Sequence, residues 1–308
     1  MNEQDSERLH AHVRELEIQL ESSKAVLRSI EDARTEPSTD GDSFGTVLSR
    51  QKTVSLPIST SLTHMLLLSD SALPVGSFAY SSGLESFLIH NKASSPEVNS
   101  LSLFRDKFLK LSIQSVAWTN VPYVLAAFRD PLGLDELDND LDASTPCTVA
   151  RRASISQGRA LLTVWEKAFA EACREKHGEA NLEAALAITT FAKDLKIASL
   201  SKDVISVNGH MAPIWGAVCN ALGLNLEEAG YLYLLNHAKA VISAAVRASV
   251  MGPYMAQHIL ASQDLHEMIR KCLEAVWFVQ PEVAGQVVPL MDLWIGRHEM
   301  LYSRIFNS

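Results

Sequence analysis

No two cysteines stand at metal-ligand spacing in this chain of 308 residues. The four present, Cys147, Cys173, Cys219 and Cys272, are far apart, which excludes a cysteine zinc site. Three of them, Cys173, Cys219 and Cys272, sit in apolar helical contexts, and the pattern predicts reduced thiols in a cytoplasmic protein. No apolar run approaches the roughly 18 residues that cross a bilayer, so no membrane span is expected. The polar, acidic stretch from Met1 to Leu9 reads neither as a secretory leader nor as a transit peptide. A basic stripe for a nucleic-acid backbone is missing. So are the G-x-x-x-x-G-K-[ST] phosphate loop, the G-x-G-x-x-G dinucleotide turn, the G-x-S-x-G elbow and H-E-x-x-H.

What charge there is lies in particular places. The formal net charge is −9. Residues 1–60 hold eleven acids against seven bases, and residues 129–147 hold six acids against Arg129 alone. Elsewhere acids and bases balance at nineteen each, so the acidity belongs to two appendages. Residues 3–32 lack proline and glycine. Leu9, Val13, Leu16, Leu20, Leu27 and Ile30 alternate at four and three, with Ser23 filling one gap. A short coiled coil and a lone amphipathic helix both fit that seam. Residues 33–60 then turn polar and read as a linker.

From Ser61 onward the pattern is helical. Leu101, Phe104, Phe108 and Leu111 form one stripe. Leu161, Leu162, Trp165, Phe169 and Cys173 form another, and Leu182, Leu186 and Phe191 a third. Leu232, Leu235, Val241, Ile242 and Ala245 mark a long alanine-rich helix. Clean two-residue alternation with hairpin turns is absent. The expected fold is all-α, a multi-helix bundle over 61–308, with an amphipathic helix and linker over 1–60. Within the bundle, residues 130–146 combine high charge with Pro131, Gly133 and Pro146, and predict a mobile surface loop. Both appendages are expected to be dispensable for folding.

Ten histidines raise the question of metal. His10 and His12 fall in the N-terminal helix and read as solvated. His298 and Glu299 are adjacent, so on a helix they point about 100° apart and make poor joint ligands. His237 lies on an apolar helix, where a core histidine bonded to a backbone carbonyl is expected. His210 follows Asn208-Gly209 in a turn; a turn-capping hydrogen bond and a transient metal contact are both open. Glu85 and Arg247 are charges set in apolar surroundings, and each should have a partner.

The most specialised stretch runs Leu73-Pro74-Val75-Gly76-Ser77-Phe78-Ala79-Tyr80-Ser81-Ser82-Gly83-Leu84-Glu85. Pro74 fixes its own φ, and Gly76 and Gly83 permit positive φ or close backbone approach. Ser81 and Ser82 are expected to turn the chain into the next helix. Three further stretches accompany it: Ala153-Ser154 through Gln157-Gly158-Arg159-Ala160-Leu161-Leu162; Gly209-His210 through Ala212-Pro213 with Leu222-Gly223-Leu224; and His298-Glu299-Met300-Leu301-Tyr302-Ser303-Arg304-Ile305-Phe306-Asn307-Ser308. In this order and spacing the four resemble the UreF-type urease accessory proteins. Residues 1–60 fall outside the resemblance.

The resemblance implies a non-enzymatic scaffold in nickel delivery to apo-urease. It implies a homodimer, a UreD/UreH-type partner, a UreG-type GTPase whose activity it regulates, and a passage through the complex as the route of nickel. No stably bound cofactor is expected, only nickel in transit. The tail residues His298, Glu299, Tyr302, Arg304, Ile305 and Phe306 match the family's partner-binding end. Their apolar and arginine content is that of interface anchors, although packing on the chain's own body also accounts for it. The loop residues Pro74, Gly76, Ser77, Phe78, Tyr80, Gly83 and Glu85 match a second motif. Two other functions stay open. One is a helical-bundle enzyme using His210, His237 or Glu85, which needs three convergent ligands or a nucleophile–base pair. The other is an adaptor that works through a coiled coil over 3–32.

Overall fold

The computed structural model describes residues 60–94, 99–171, 173, 179–200 and 207–307, with Lys24 besides. The heptad seam over 3–32, the linker, His10 and His12 lie outside the described residues, Lys24 apart. All regular structure among the described residues is helical, and no strand occurs there. The chain is all-α, as its periodicity predicts.

The helices follow in this order: α1 (Thr60–Ser69), α2 (Leu84–Ser94), α3 (Ser100–Leu103), α4 (Leu109–Thr119), α5 (Val121–Arg129), α6 (Leu134–Ser144) and α7 (Thr148–Val164). Then come α8 (Glu179–Leu200), α9 (Met211–Ala221), α10 (Leu226–Arg247), α11 (Pro253–Leu260), α12 (Gln263–Val276) and α13 (Pro289–Arg297).

Helix α9 is the axis of one core. Nine of its eleven residues are buried. A helix apolar all round has no face to show to water and must be surrounded. Here α5, α7 and α8 surround it. A Cβ on Gly216 would sit 2.1 Å from the Val124 carbonyl oxygen. Only glycine lets the α9 and α5 backbones meet so closely. Gly223, at φ 76°, ends the helix, and Leu224 N–H donates to the Cys219 carbonyl at 3.1 Å. The next helix starts at once. The Asn225 side chain accepts from Glu228 N–H at 2.7 Å, and the Glu228 carboxylate accepts from Asn225 N–H at 2.9 Å.

Helix α10 links this core to a second. Leu232 belongs to the first, and Leu234, Ala238, Val241, Ile242 and Ala245 to the second. Phe87 of α2, Phe108 and Trp294 of α13 meet in the second core. The Phe87 ring lies 4.7 Å from Trp294, edge to face, and 4.9 Å from Phe108. Phe104 and Phe108 flank a π-turn between α3 and α4, and both are fully buried.

Two expectations are corrected. The segment 130–146 is not a loop. Pro131–Gly133 form a 3-10 turn and Leu134–Ser144 form α6. Charge density hid an apolar stripe: Leu134 and Leu141 are buried in the first core, and Leu137 packs against it. The third stripe is also rotated. In α8 the buried residues are Ala184, Ala185, Ile188, Phe191 and Ala192, while Leu182 and Leu186 are exposed. Small side chains face α9 because the two helices pack together there. The other stripes fall on buried or partly buried faces. No described helix is long and apolar enough to cross a membrane.

Both cores are drawn from residues between Leu68 and Phe306. Removing residues 1–56 therefore leaves a single cooperative urea transition by circular dichroism. Removing residues 131–146 as well abolishes it, because Leu134 and Leu141 each contribute about 1.5–3 kcal/mol of burial.

Candidate functional site

The motif stretches meet in pairs, and a buried carboxylate fastens each pair. The first junction joins the 73–85 loop to the C-terminal tail. Gly76 at φ 73° opens a 3-10 turn, Ser77–Ala79. Ser82 and Gly83 then take positive φ and lead into α2, whose first turn is closed by Leu84 N–H to the Ser81 carbonyl. A Cβ on Gly83 would lie 3.0 Å from the Ile295 backbone nitrogen of α13, so the loop abuts that helix. Glu85, 7% exposed, points at the tail. It accepts from Ile305 N–H at 2.9 Å, from Phe306 N–H at 3.3 Å and from His298 Nε2 at 3.0 Å. His298 is fully buried, and its Nδ1 has no hydrogen-bond partner among the described residues. Asn307 N–H closes the junction on the Ala79 carbonyl at 2.9 Å.

Sequence reasoning grouped six tail residues as one surface. The structure divides them. Phe306 and His298 are buried in the chain itself, so for these two residues packing on the chain's own body holds. Glu85 fixes the backbone of Phe306 and the ring of His298. Tyr302, Arg304 and Ile305 face solvent, and Glu299 is exposed and paired with Arg152. In the loop, Phe78 and Pro74 are exposed; Ser77 and Tyr80 are partly covered. Arg247 at the end of α10 lies 4.5 Å over the Phe306 ring and 6.0 Å from Phe78. Its expected partner is thus an aromatic ring, with Nε also reaching the Ser243 carbonyl at 3.4 Å.

The second junction joins the 153–162 and 209–213 stretches through α6. Asp138 is fully buried. Its carboxylate accepts from Asn208 N–H at 2.7 Å, Gly209 N–H at 3.0 Å and His210 N–H at 2.6 Å. That holds the turn that starts α9. The His210 ring, fully buried, donates from Nε2 to Asp142 at 3.1 Å and accepts at Nδ1 from the Ser154 hydroxyl at 3.0 Å. Ser154 in turn accepts from Met211 N–H at 3.2 Å. Asp138 caps the turn, and His210 ties α6 to α7. Both ring nitrogens are engaged, so a cation reaches them only by displacing a bond. No cluster of three or more metal-ligating side chains occurs among the described residues. Asp138 was not foreseen. Its signal was position: it falls on the stripe of Leu134, Leu137 and Leu141, where an acid must be paired to be buried.

A cavity of about 290 Å³ lies beneath the 73–85 loop. Ser112, Ser115, Asn236, His237, Lys239 and Ser154 supply much of its polar wall. His237 bonds through Nε2 to the Ser112 hydroxyl at 2.8 Å, a side-chain partner rather than the expected backbone carbonyl. Burial pushes its pKa from 6.5 down to about 4, so the ring is neutral. This is nucleophile–base spacing, but no carboxylate orients His237 among the described residues. The three-part arrangement of a hydrolase is incomplete there.

Fold and junctions define an all-helical protein whose loop, tail and inner turn are fastened by two buried carboxylates. The UreF family profile matches residues 106–264. The chain is 37% identical to the uncharacterized urease accessory protein UreF-like of Schizosaccharomyces pombe, over 80% of this chain and 97% of that one. It is 33% identical to urease accessory protein F of Arabidopsis thaliana, over 78% and 89%. It is 27% identical to urease accessory protein UreF of Paenarthrobacter aurescens, over 78% and 95%. The chain belongs to the UreF family, whose members act with other accessory proteins in urease maturation.

Asp138→Ala leaves buried amides without an acceptor and costs about 2–4 kcal/mol, read as a lower urea midpoint at unchanged slope. His237 adds a pH dependence. Its folded pKa lies below the unfolded value, so between pH 6.5 and 4 the unfolded chain binds a proton that the folded chain refuses. The stability it confers is complete above the unfolded value and is lost as pH falls toward the folded one. His237→Gln, which retains a polar group beside Ser112, flattens the loss of stability in the upper part of that window, measured by urea titration at stepped pH.

Proposed function

We propose that this chain is a non-enzymatic scaffold that docks a UreD/UreH-type accessory protein through Tyr302, Arg304 and Ile305. With a UreG-type GTPase it supports GTP-dependent nickel insertion into apo-urease in the cytoplasm, acting as a homodimer. One observation carries the reading. The tail is fastened at Phe306 and Glu85, yet it turns a tyrosine, an arginine and an isoleucine outward. Those residue types anchor interfaces. A segment already fixed loses little freedom on binding, so its contacts are retained as affinity. Nickel is cargo in this scheme. The cavity wall includes the Asp70 and Asp292 carboxylates and the Lys239 ammonium besides hydroxyls, amides and one neutral imidazole, and no three metal-ligating groups converge among the described residues, which accords with nickel in transit. A tight site would stall a carrier.

The test is co-expression with apo-urease and the other accessory proteins. Omitting this chain removes urease activity. Arg304→Ala weakens co-purification with the UreD/UreH-type protein, by about 2–5 kcal/mol if its contact is buried, while the melting temperature holds. Phe306→Ala behaves differently and costs about 3–5 kcal/mol of folding stability, because its ring is core. Full complex formation and urease activation by Arg304→Ala would sink the docking reading.

A further inference from the structure

We propose that Arg247 is a second arginine anchor of the docking surface and that it receives a carboxylate of the partner. The inference rests on the docking reading above and adds a residue from another part of the chain. Arg247 is in the last turn of α10, 57 positions before Arg304. The fold brings it to the tail: its guanidinium stacks 4.5 Å over Phe306, whose neighbours are Arg304 and Ile305. Phe78 of the 73–85 loop, 67% exposed, lies 6.0 Å from the same guanidinium carbon.

The guanidinium carbon sits over the Phe306 ring, and Arg247 is an exposed residue. Of its five N–H groups, one reaches the Ser243 carbonyl, at 3.4 Å. No carboxylate lies within ion-pair distance of Arg247 or Arg304 among the described residues. Glu85, an acid of the tail junction, is buried and already takes three donors, while the exposed Glu299, which feels the charge of Arg304, pairs with Arg152. Desolvation lowers the Arg247 pKa, which accords with a guanidinium pressed on apolar rings. The result is a cationic, aromatic surface made of Phe78, Arg247, Arg304, Ile305 and Tyr302 on a chain of net charge −9. An exposed arginine over a ring, with N–H donors to spare, suits bidentate carboxylate recognition. The complementary occupant is a partner segment with an acidic side chain beside an apolar one.

The experiment uses the full chain and the purified UreD/UreH-type protein, titrated by calorimetry across a salt series. Arg247→Met keeps an apolar stem on Phe306 and removes the charge. It should weaken binding roughly tenfold to a hundredfold and flatten the salt dependence. Arg247→Lys keeps the charge without the fork; it should retain the salt slope and recover only part of the affinity. Melting temperatures of both variants report any loss of packing, and the salt slope of the lysine variant remains informative if stability drops. If Arg304→Ala weakens binding while Arg247→Met binds with wild-type affinity and slope, the carboxylate contact is overturned and the docking reading stands. If neither variant weakens binding, both fall. If Arg247→Met changes the sedimentation of the isolated chain but not its affinity for the partner, the surface belongs to a second copy of this chain, and the proposal is overturned.

Discussion

A buried carboxylate that accepts backbone amides is the interaction on which this structure depends. It occurs twice. Asp138 gathers three consecutive N–H groups at the start of α9, and Glu85 gathers two from the tail together with the His298 ring. Burying a charge is costly unless donors replace its water, and backbone amides are donors that cannot rotate away. Each carboxylate therefore fixes the path of a segment that has no regular structure to fix it. The turn 208–210 and the tail 305–306 are held as firmly as helices, without being helical.

These two fastenings serve different parts of the packed body. The Asp138 junction orients α9, the axis of the first core. The Glu85 junction ties the loop before α2 to the tail and to α13 in the second core. Helix α10 runs through both, with Ala229 and Leu232 in the first and Leu234, Ala238, Val241, Ile242, Ala244 and Ala245 in the second. Its 22 residues make a rod of about 33 Å. At its far end sits Arg247, so the long helix fixes where that guanidinium meets the tail. Between the junctions lies the cavity, whose polar groups are satisfied by one another, as Ser112 and His237 are.

Membership in the UreF family gives this architecture its sense. A helper that assembles with other proteins needs surfaces that keep their shape while unbound. Here Phe306 and His298 form the covered part of the tail, and Tyr302, Arg304 and Ile305 are turned to solvent. The division of labour within nine residues is a consequence of Glu85. Its two amide bonds set which side chains turn inward and which turn outward.

Much was legible in the residues themselves. Helical periodicity, the absence of strand alternation and the two glycines of the 73–85 loop determined the fold class and the loop's unusual backbone, because these are local properties of the chain. The four motif stretches were legible as well, and with them the family. Their pairing was not. Glu85 and the tail are 220 positions apart, and Asp138 and His210 are 72 apart. No local rule relates residues at such separations; only packing brings them together. The same limit explains the misreadings. Charge density concealed the leucines of α6, because burial of one face depends on what lies against it. The leucines of α8 looked like a core stripe until α9 claimed the alanine side. For Phe306 the sequence left open a partner or the chain's own body, and the chain's own Glu85 and Arg247 hold it. Sequence by itself determined the helices and the family. Tertiary structure alone decided which charges are buried, because a carboxylate is admitted to the interior only where distant backbone amides converge on it.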